Sequence, residues 1–422
     1  MKQLLMRFAK GTGWMVVGGG GARFIGVISS VVIARILGRE MFGAFGLIQS
    51  TIGVFQTVAG FGLGMTTTKH LAEYRRNDPA RAASVLMLCY VVVTALGVGI
   101  ALTVVLSSSW MADNIMAAPG LNKVLCLSAL LIVFGAIGGV QQGALNGLES
   151  FRELSLVYLL GSISSFIFGV AGCIWGHLEG LILGVALSSL ITVLYSGYVL
   201  RRQLHMHGVH SILADWFRER KVLLAYSFPS LLSYLLVVLV QWGSNLIIVH
   251  SQDGYAEVAI LNAATQWKSA YLFLPLLVGQ IAVPIMAAHG GRTSAVEVKH
   301  TLRWMGMFNI WVGGALLGIL CVSSPWLMGA YGNGFRHGWM TFVVLQVSAF
   351  IQLLQAPTVK LWEASGRMWT NFLMNILWAI SVLYFAKCWV ALGALGIALA
   401  NIEGLLVFGL GLVLSRRMRN EG

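Results

Sequence analysis

The chain has 422 residues, of which 58% are apolar and 10% are charged, and its mean hydropathy is +0.81. Soluble domains carry about 25% charged residues, so this composition excludes a soluble globular protein and predicts an integral membrane protein. The net charge of +13 does not indicate a nucleic-acid partner, because the basic residues fall between apolar segments instead of forming one accessible patch.

Apolar segments bounded by charged or turn-forming residues recur along the whole chain. A run of about 20 apolar residues can cross a bilayer as an α-helix, so these segments predict an all-α polytopic membrane protein with twelve transmembrane helices. The longest linker, residues 206–222, separates an N-terminal six-helix lobe at 1–205 from a C-terminal six-helix lobe at 223–422. Two related halves around a central cavity are a common transporter plan. The predicted spans are 12–34, 42–66, 85–109, 121–148, 154–175, 179–200, 223–249, 257–287, 300–323, 338–362, 369–387 and 390–414.

The distribution of Lys and Arg predicts the orientation of these spans. Cytoplasmic loops retain positive charge. With the N-terminus inside, 21 of the 28 Lys and Arg residues lie on the cytoplasmic side, five lie outside and two lie within spans. Both termini are therefore expected in the cytoplasm.

Two cations are predicted at depth in the membrane, Arg23 in the first span and Lys268 in the eighth. A central Arg costs about 2.5–3.5 kcal/mol on the insertion scale, and such groups generally face a cavity or pair with one another. Glu403 in the twelfth span is the acidic candidate at this depth. One interpretation pairs Glu403 with Arg23 or Lys268 as a structural contact. The other leaves a net positive cavity, which selects an anionic substrate.

Uncharged polar side chains at depth predict that this interior is filled with water. On the eighth span, Lys268 is expected to share one broad polar sector with Asn262, Thr265, Gln266 and Ser269, given 100° per residue. The other candidate substrate-binding residues of this kind are Gln49, Gln56, Gln241 and Asn245.

Two further features each admit two interpretations. Arg35 and Arg39, near the outer end of the first span, form either a second substrate station or contacts with lipid headgroups. The glycine run Gly18–Gly21 in the first span is either a hinge or a surface for close helix packing.

Enzyme chemistry is not expected from this sequence. No P-loop is present, and the nine histidines fall in loops or at span ends, so they form no proton relay through the membrane. His205, His207 and His210 have no carboxylate or cysteine at ligand spacing, which favours a solvated loop over a metal site. We therefore expect no catalytic residue, no metal and no cofactor.

The segment 31–82 resembles the start of Wzx-type polysaccharide flippases, which belong to the multidrug/oligosaccharidyl-lipid/polysaccharide (MOP) exporter superfamily. Twelve spans in two halves extend the resemblance over the chain less specifically, and Arg39 stands where relatives often have proline. The motifs that carry the resemblance are A-R-I-L-G at 34–38, F-G at 42–43, G-F-G-L-G at 60–64 and T-K-H-L-A-E-Y-R-R at 68–76.

The resemblance implies a flippase of the bacterial inner membrane that moves undecaprenyl-pyrophosphate-linked oligosaccharide to the periplasmic leaflet for O-antigen or exopolysaccharide assembly. A cationic cavity with Arg23 and Lys268, and Arg35 as an outer contact, would alternate its opening. An ion gradient of H⁺ or Na⁺ often drives such transport, and Glu403 is the candidate coupling carboxylate. Membrane lipids and other polysaccharide assembly proteins are the expected partners. The alternatives are a cation-coupled drug or metabolite antiporter of the same superfamily and a non-transporting scaffold of an assembly complex.

Overall fold

The computed structural model is nearly all-helical. It describes residues 2–75, 77–209, 228–251, 253–287, 295–364 and 368–420. Most of the predicted linker at 206–222 lies outside the described residues. The helices are α1 (Lys2–Gly60), α2 (Leu63–Tyr74), α3 (Pro79–Trp110), α4 (Asn122–Gly147), α5 (Phe151–Met206), α6 (Phe228–Val249), α7 (Gly254–Ala287), α8 (Ala295–Phe308), α9 (Gly314–Ala330), α10 (Trp339–Ala364), α11 (Met368–Cys388) and α12 (Ala394–Asn420).

Within the described residues, eight helices are long and apolar enough to cross a membrane. Two of them, with 48 and 56 residues, are too long for one crossing of about 30 Å, which needs about 20 residues. Each is broken once: α1 at Gly38, with φ 76°, and α5 at Gly176 and His177, where His177 has φ 47°. The breaks fall between predicted spans one and two and between spans five and six. The predicted spans overlap helices, parts of the two broken helices, or the α8–α9 pair with the π-helical turn that joins it, as far as the described residues extend. The helices α6 and α7, which overlap predicted spans seven and eight, are not among the eight.

The glycine run near the start of α1 is regular helix. A Cβ on Gly18 would collide with Ser155 of α5, and one on Gly21 would lie 3.0 Å from Leu159. Ser155 Oγ also donates a hydrogen bond to the Trp14 carbonyl at 2.7 Å. These contacts at Gly18 and Gly21 favour close packing against α5 over a hinge as the reason for the run. The backbone of α1 instead breaks at Gly38.

The chain divides into two compact units. The first comprises Met1–Ser29 and Leu47–Trp242, and the second comprises Ser30–Gly46 and Gly243–Gly422. These units differ from the predicted lobes because Ser30–Gly46, a segment of the first half of the sequence, packs with helices of the second half. The six-helix lobes of the sequence remain a prediction about the two halves of the chain.

Backbone contact between α2 and α4 forms part of the core of the first unit. The carbonyl of Gly64 occupies the space that a Cβ on Gly143 would need. Thr68 Oγ1 donates to the Gly143 carbonyl at 2.9 Å. The turn before α2 also requires glycine, since Gly62 has φ 67°. These positions give a packing reason for the G-F-G-L-G motif.

Candidate substrate site

The first predicted cation, Arg23, lies on the part of α1 that belongs to the first unit. Its side chain is exposed, and Tyr158 of α5 is an electrostatic neighbour. Ten residues separate it from Gly13, where the apolar run begins, which is about 15 Å along the helix. The guanidinium thus lies about half-way along the predicted first span, and its contact with substrate stays a prediction.

The three glutamines predicted for this unit differ in their surroundings. Gln49 and Gln241 are exposed. Gln56 is half-buried, and its amide Nε2 donates to the Leu131 carbonyl of α4 at 2.7 Å. Gln56 therefore joins α1 to α4 in this structure, whereas Gln49 and Gln241 present their amides at the surface of the unit.

In the second unit, the polar residues of α7 lie along one sector of about 160°, with Lys268 at one edge, Gln266 at the other, and Thr265, Ser269 and Asn262 between them. Gln266 is exposed, and Asn262 Nδ2 is buried against Gly46 with no hydrogen-bond acceptor among the described residues. Asn245, on α6, is buried. The side chains of this sector therefore have different surroundings, and their part in substrate binding stays a prediction.

Lys268 faces α10, where a polar seam runs between α7 and α10. Its Nζ donates to Ser348 Oγ at 3.2 Å, and Ser348 Oγ in turn donates to the Leu345 carbonyl at 2.7 Å. Next to this pair, Gln346 Nε2 donates to the Ala264 carbonyl at 3.3 Å. We call Lys268, Gln346 and Ser348 the α7–α10 seam.

A second pair of polar contacts lies close to this seam, at the π-helical turn Asn309–Gly313. Tyr271 Oη donates to the Gly313 carbonyl at 2.9 Å, and Asn309 Nδ2 donates to the Leu353 carbonyl at 2.9 Å. Both side chains are buried. Tyr271 satisfies a carbonyl at the π-helical turn itself. Asn309, on that turn, satisfies the carbonyl of Leu353 in α10, which has no helical N–H donor because the residue four positions later is Pro357.

Gln346 and Ser348 were not predicted as site residues, although both are polar and lie in a predicted span. The available signal was their position in an otherwise apolar segment. Their pairing with α7 joins positions about 80 residues apart, which spacing alone does not reveal.

The single acidic candidate at depth has a different partner from the one predicted. Trp389 Nε1 donates to Glu403 at 3.0 Å to Oε2 and 3.2 Å to Oε1. Among the described residues, no carboxylate lies within 4.0 Å of Lys268 Nζ. The structural pairing of Lys268 with Glu403 is therefore wrong, and the Lys268 ammonium is held by a neutral hydroxyl.

The two arginines predicted near the outer end also have described partners. Arg35 is exposed, and its Nε donates to the Ala330 carbonyl at 2.6 Å. Arg39 forms an ion pair with Glu257 at 2.7 Å. Arg35 stays a candidate substrate contact, whereas the guanidinium of Arg39 is occupied in this structure.

The comparison with protein families decides the membership of the chain. A model described as "Polysaccharide biosynthesis protein" matches residues 8–289. The chain belongs to this family. The resemblance to Wzx-type flippases of the MOP superfamily is confirmed.

Two curated relatives of this polysaccharide biosynthesis family member differ in the length matched. The "EPS I polysaccharide export inner membrane protein EpsE" of Ralstonia nicotianae is 28% identical over 195 residues, which cover 43% of this chain and 42% of that protein. The chain thus matches less than half of the length of that exporter. The "Stage V sporulation protein B" of Bacillus subtilis is 22% identical, covering 95% of this chain and 82% of that protein.

Solved structures show that the family member has the MOP fold. An inward-facing multidrug resistance MATE family transporter matches with a TM-score of 0.78 and 16% identity, covering 94% of both chains. The "Lipid II flippase MurJ" in an inward closed conformation matches with a TM-score of 0.76 and 12% identity, covering 96% of this chain and 87% of MurJ. The chain is therefore an all-α polytopic membrane protein of MOP type.

Proposed function

We propose that this protein is a flippase that translocates undecaprenyl-pyrophosphate-linked oligosaccharide repeat units from the cytoplasmic to the periplasmic leaflet of the bacterial inner membrane. The units would serve surface polysaccharide assembly, as O-antigen or exopolysaccharide. The observation that carries the proposal is Lys268, a cation at depth whose described partner is a hydroxyl and not a carboxylate. Membership of the polysaccharide biosynthesis family and the names of EpsE and MurJ support the same substrate class.

The energetics of Lys268 fit a group that binds phosphate and releases it. A hydrogen bond from the charged ammonium to a neutral hydroxyl contributes about 1.5–3 kcal/mol. An ammonium about 4 Å from one phosphate charge gains about 4 kcal/mol at an effective dielectric near 20. A pyrophosphate would therefore displace Ser348 as the partner of Lys268, and Ser348 would take the ammonium back after release.

In the proposed cycle, Arg23 and Lys268 attract the pyrophosphate while the lipid chain stays in the bilayer. Gln49, Gln241, Asn262 and Gln266 would contact sugars, and Gln56 and Asn245 would support them. Arg35 would meet the substrate near the predicted outer end. Alternating access would expose this cationic site first to the cytoplasm, where both termini are expected, and then to the periplasm.

The test is transport into proteoliposomes that contain undecaprenyl-pyrophosphate-linked oligosaccharide. We expect Arg23→Ala and Lys268→Met to abolish transport, and Arg23→Lys to retain part of it. Lys123→Ala is the matched control, because Lys123 is an exposed cation paired with Glu179. In the host, deletion of the gene should remove surface glycan and leave lipid-linked units facing the cytoplasm. Full transport by Arg23→Ala and Lys268→Met would overturn the proposal.

A second candidate function is a cation-coupled antiporter of drugs or metabolites, favoured by the structural match to a MATE transporter. Here Glu403 would be the carboxylate that couples transport to H⁺ or Na⁺. Unchanged glycan export together with increased sensitivity to organic cations in the deletion strain would favour this function over the flippase. The third alternative is a scaffold role in an assembly complex. A variant of Arg23 that loses transport but still supports assembly of the complex would favour the flippase over the scaffold.

A further inference from the structure

The segment Ser30–Gly46 belongs to the first half of the sequence but packs within the second compact unit. Ser30 Oγ and Tyr331 Oη lie 2.9 Å apart, and Arg35 Nε donates to the Ala330 carbonyl. The Phe42 ring lies 6.2 Å from Tyr331 and 6.0 Å from Phe335, with the rings tilted or edge-on. The segment contains the α1 break at Gly38, which lies at a predicted outer end.

Glu257, at the start of α7, joins this segment to a third part of the unit. Its Oε1 lies 2.7 Å from Arg39 Nη2, and its Oε2 accepts a hydrogen bond from the Ala394 backbone N–H at 2.9 Å. Arg39 Nε also donates to the Ala256 carbonyl at 3.1 Å. His337 Nε2 lies 3.9 Å from Glu257 Oε1. The Glu257 carboxylate thus connects Arg39, next to the break in α1, with the first residues of α7 and α12.

Glycines let the backbones of the segment and α7 meet directly. A Cβ on Gly43 would collide with the Tyr255 carbonyl, and a Cβ on Gly46 would collide with the Asn262 amide. Buried side chains also hold the segment, since Phe42, Ala44 and Phe45 are 3–7% exposed. Among the described contacts of the segment, the ion pair of Arg39 and Glu257 joins two charged side chains, so its removal tests the joined state without opening a cavity among these apolar residues.

We propose that Arg39 and Glu257 form a lock that closes the predicted outer ends of the first and eighth spans and opens once in each transport cycle. This inference rests on the proposed function, since alternating access requires the predicted outer end to open, here by separation of Ser30–Gly46 from α7 within the second unit. It also differs from the sequence-based interpretation of Arg39 as a substrate station. A lock needs its partner Glu257, whereas a substrate station does not.

The first experiment measures opening without any substrate. Phe42 is 3% exposed, so a cysteine introduced by Phe42→Cys reacts with a membrane-impermeant maleimide only when the segment separates. Cys388 is exposed and is first replaced in Cys388→Ser. We expect Glu257→Gln to increase the labelling rate about tenfold, the change that a loss of about 1.4 kcal/mol produces. Lys123→Gln, which removes the outer-end ion pair with Glu179, should leave the rate unchanged. Equal rates in all variants would overturn the lock.

The second experiment asks whether opening is needed for transport. In the same Cys388→Ser background, Arg39→Cys and Glu257→Cys are joined by a short, reducible bifunctional thiol reagent. We expect transport of undecaprenyl-pyrophosphate-linked oligosaccharide to stop on cross-linking and to return on reduction. The matched pair Lys123→Cys and Glu179→Cys should cross-link without loss of transport.

The two experiments separate the lock from the proposed function. Full transport by the protein cross-linked between positions 39 and 257 would show a permanent brace and overturn the lock. Absence of transport in the unmodified wild-type protein would overturn the proposed function, while the maleimide rates would still decide whether the segment separates.

Discussion

Replacement of Lys268 by methionine should make the protein more stable and inactive. Lys268 is a cation in the middle of α7 whose described partner is the Ser348 hydroxyl at 3.2 Å. Methionine has a similar length and no charge, so it can fill the space beside α10. A residue that lowers stability while it serves function is expected where binding requires it.

The magnitude follows from the two interactions of the ammonium. A charged Lys at the centre of a span costs about 2.5–3.5 kcal/mol on the insertion scale, and its hydrogen bond to Ser348, made by a charged donor, recovers about 1.5–3 kcal/mol. Lys268→Met should therefore stabilise the fold by about 1 kcal/mol. Because 1 kcal/mol shifts the melting temperature of a chain of this size by roughly 1–2 °C, we expect an increase of about 1–2 °C.

The assay is thermal unfolding of purified protein in one detergent, followed together with transport in proteoliposomes. Ser348→Ala should lower the melting temperature in the wild-type background, because it leaves the ammonium without its described acceptor. In the Lys268→Met background the same change should have little effect. A lower melting temperature for Lys268→Met, combined with retained transport, would refute the reasoning and assign Lys268 a structural role.

Three further predictions concern other parts of the chain. Glu149→Ala should destabilise the protein by about 1–3 kcal/mol, because it removes the ion-pair partner of the buried Arg75 guanidinium. The control Lys123→Ala, at an exposed pair, should cost under about 0.5 kcal/mol. Equal melting temperatures for the two variants would contradict this prediction. Gly143→Leu should prevent close packing of α4 and reduce the yield of folded protein, as measured by size-exclusion chromatography, and normal yield would contradict it. Glu403→Gln keeps a hydrogen-bond acceptor for Trp389 and should fold normally. We expect its transport to be insensitive to H⁺ and Na⁺ gradients in proteoliposomes, and unaltered dependence on these gradients would contradict the prediction.

The sequence alone determined that the protein is an integral, all-helical membrane protein. Long apolar runs leave few alternatives, because backbone groups inside a bilayer must be satisfied within a helix. The breaks at Gly38 and at Gly176–His177 fall between predicted spans for the same reason, since the chain can reverse only where the helix ends. The family resemblance was also readable from local motifs near residues 34–76.

Only the tertiary structure decided what the polar residues contact. The sequence predicted Lys268 on a polar sector of one helix, whereas the structure shows that its ammonium contacts Ser348 of α10. Arg39 was expected near substrate or lipid, and it pairs with Glu257, more than 200 residues away in the chain. Charge and depth are local properties of a sequence, whereas pairing depends on which helices adjoin and on how each is rotated about its axis, and that rotation is set by packing across the whole fold.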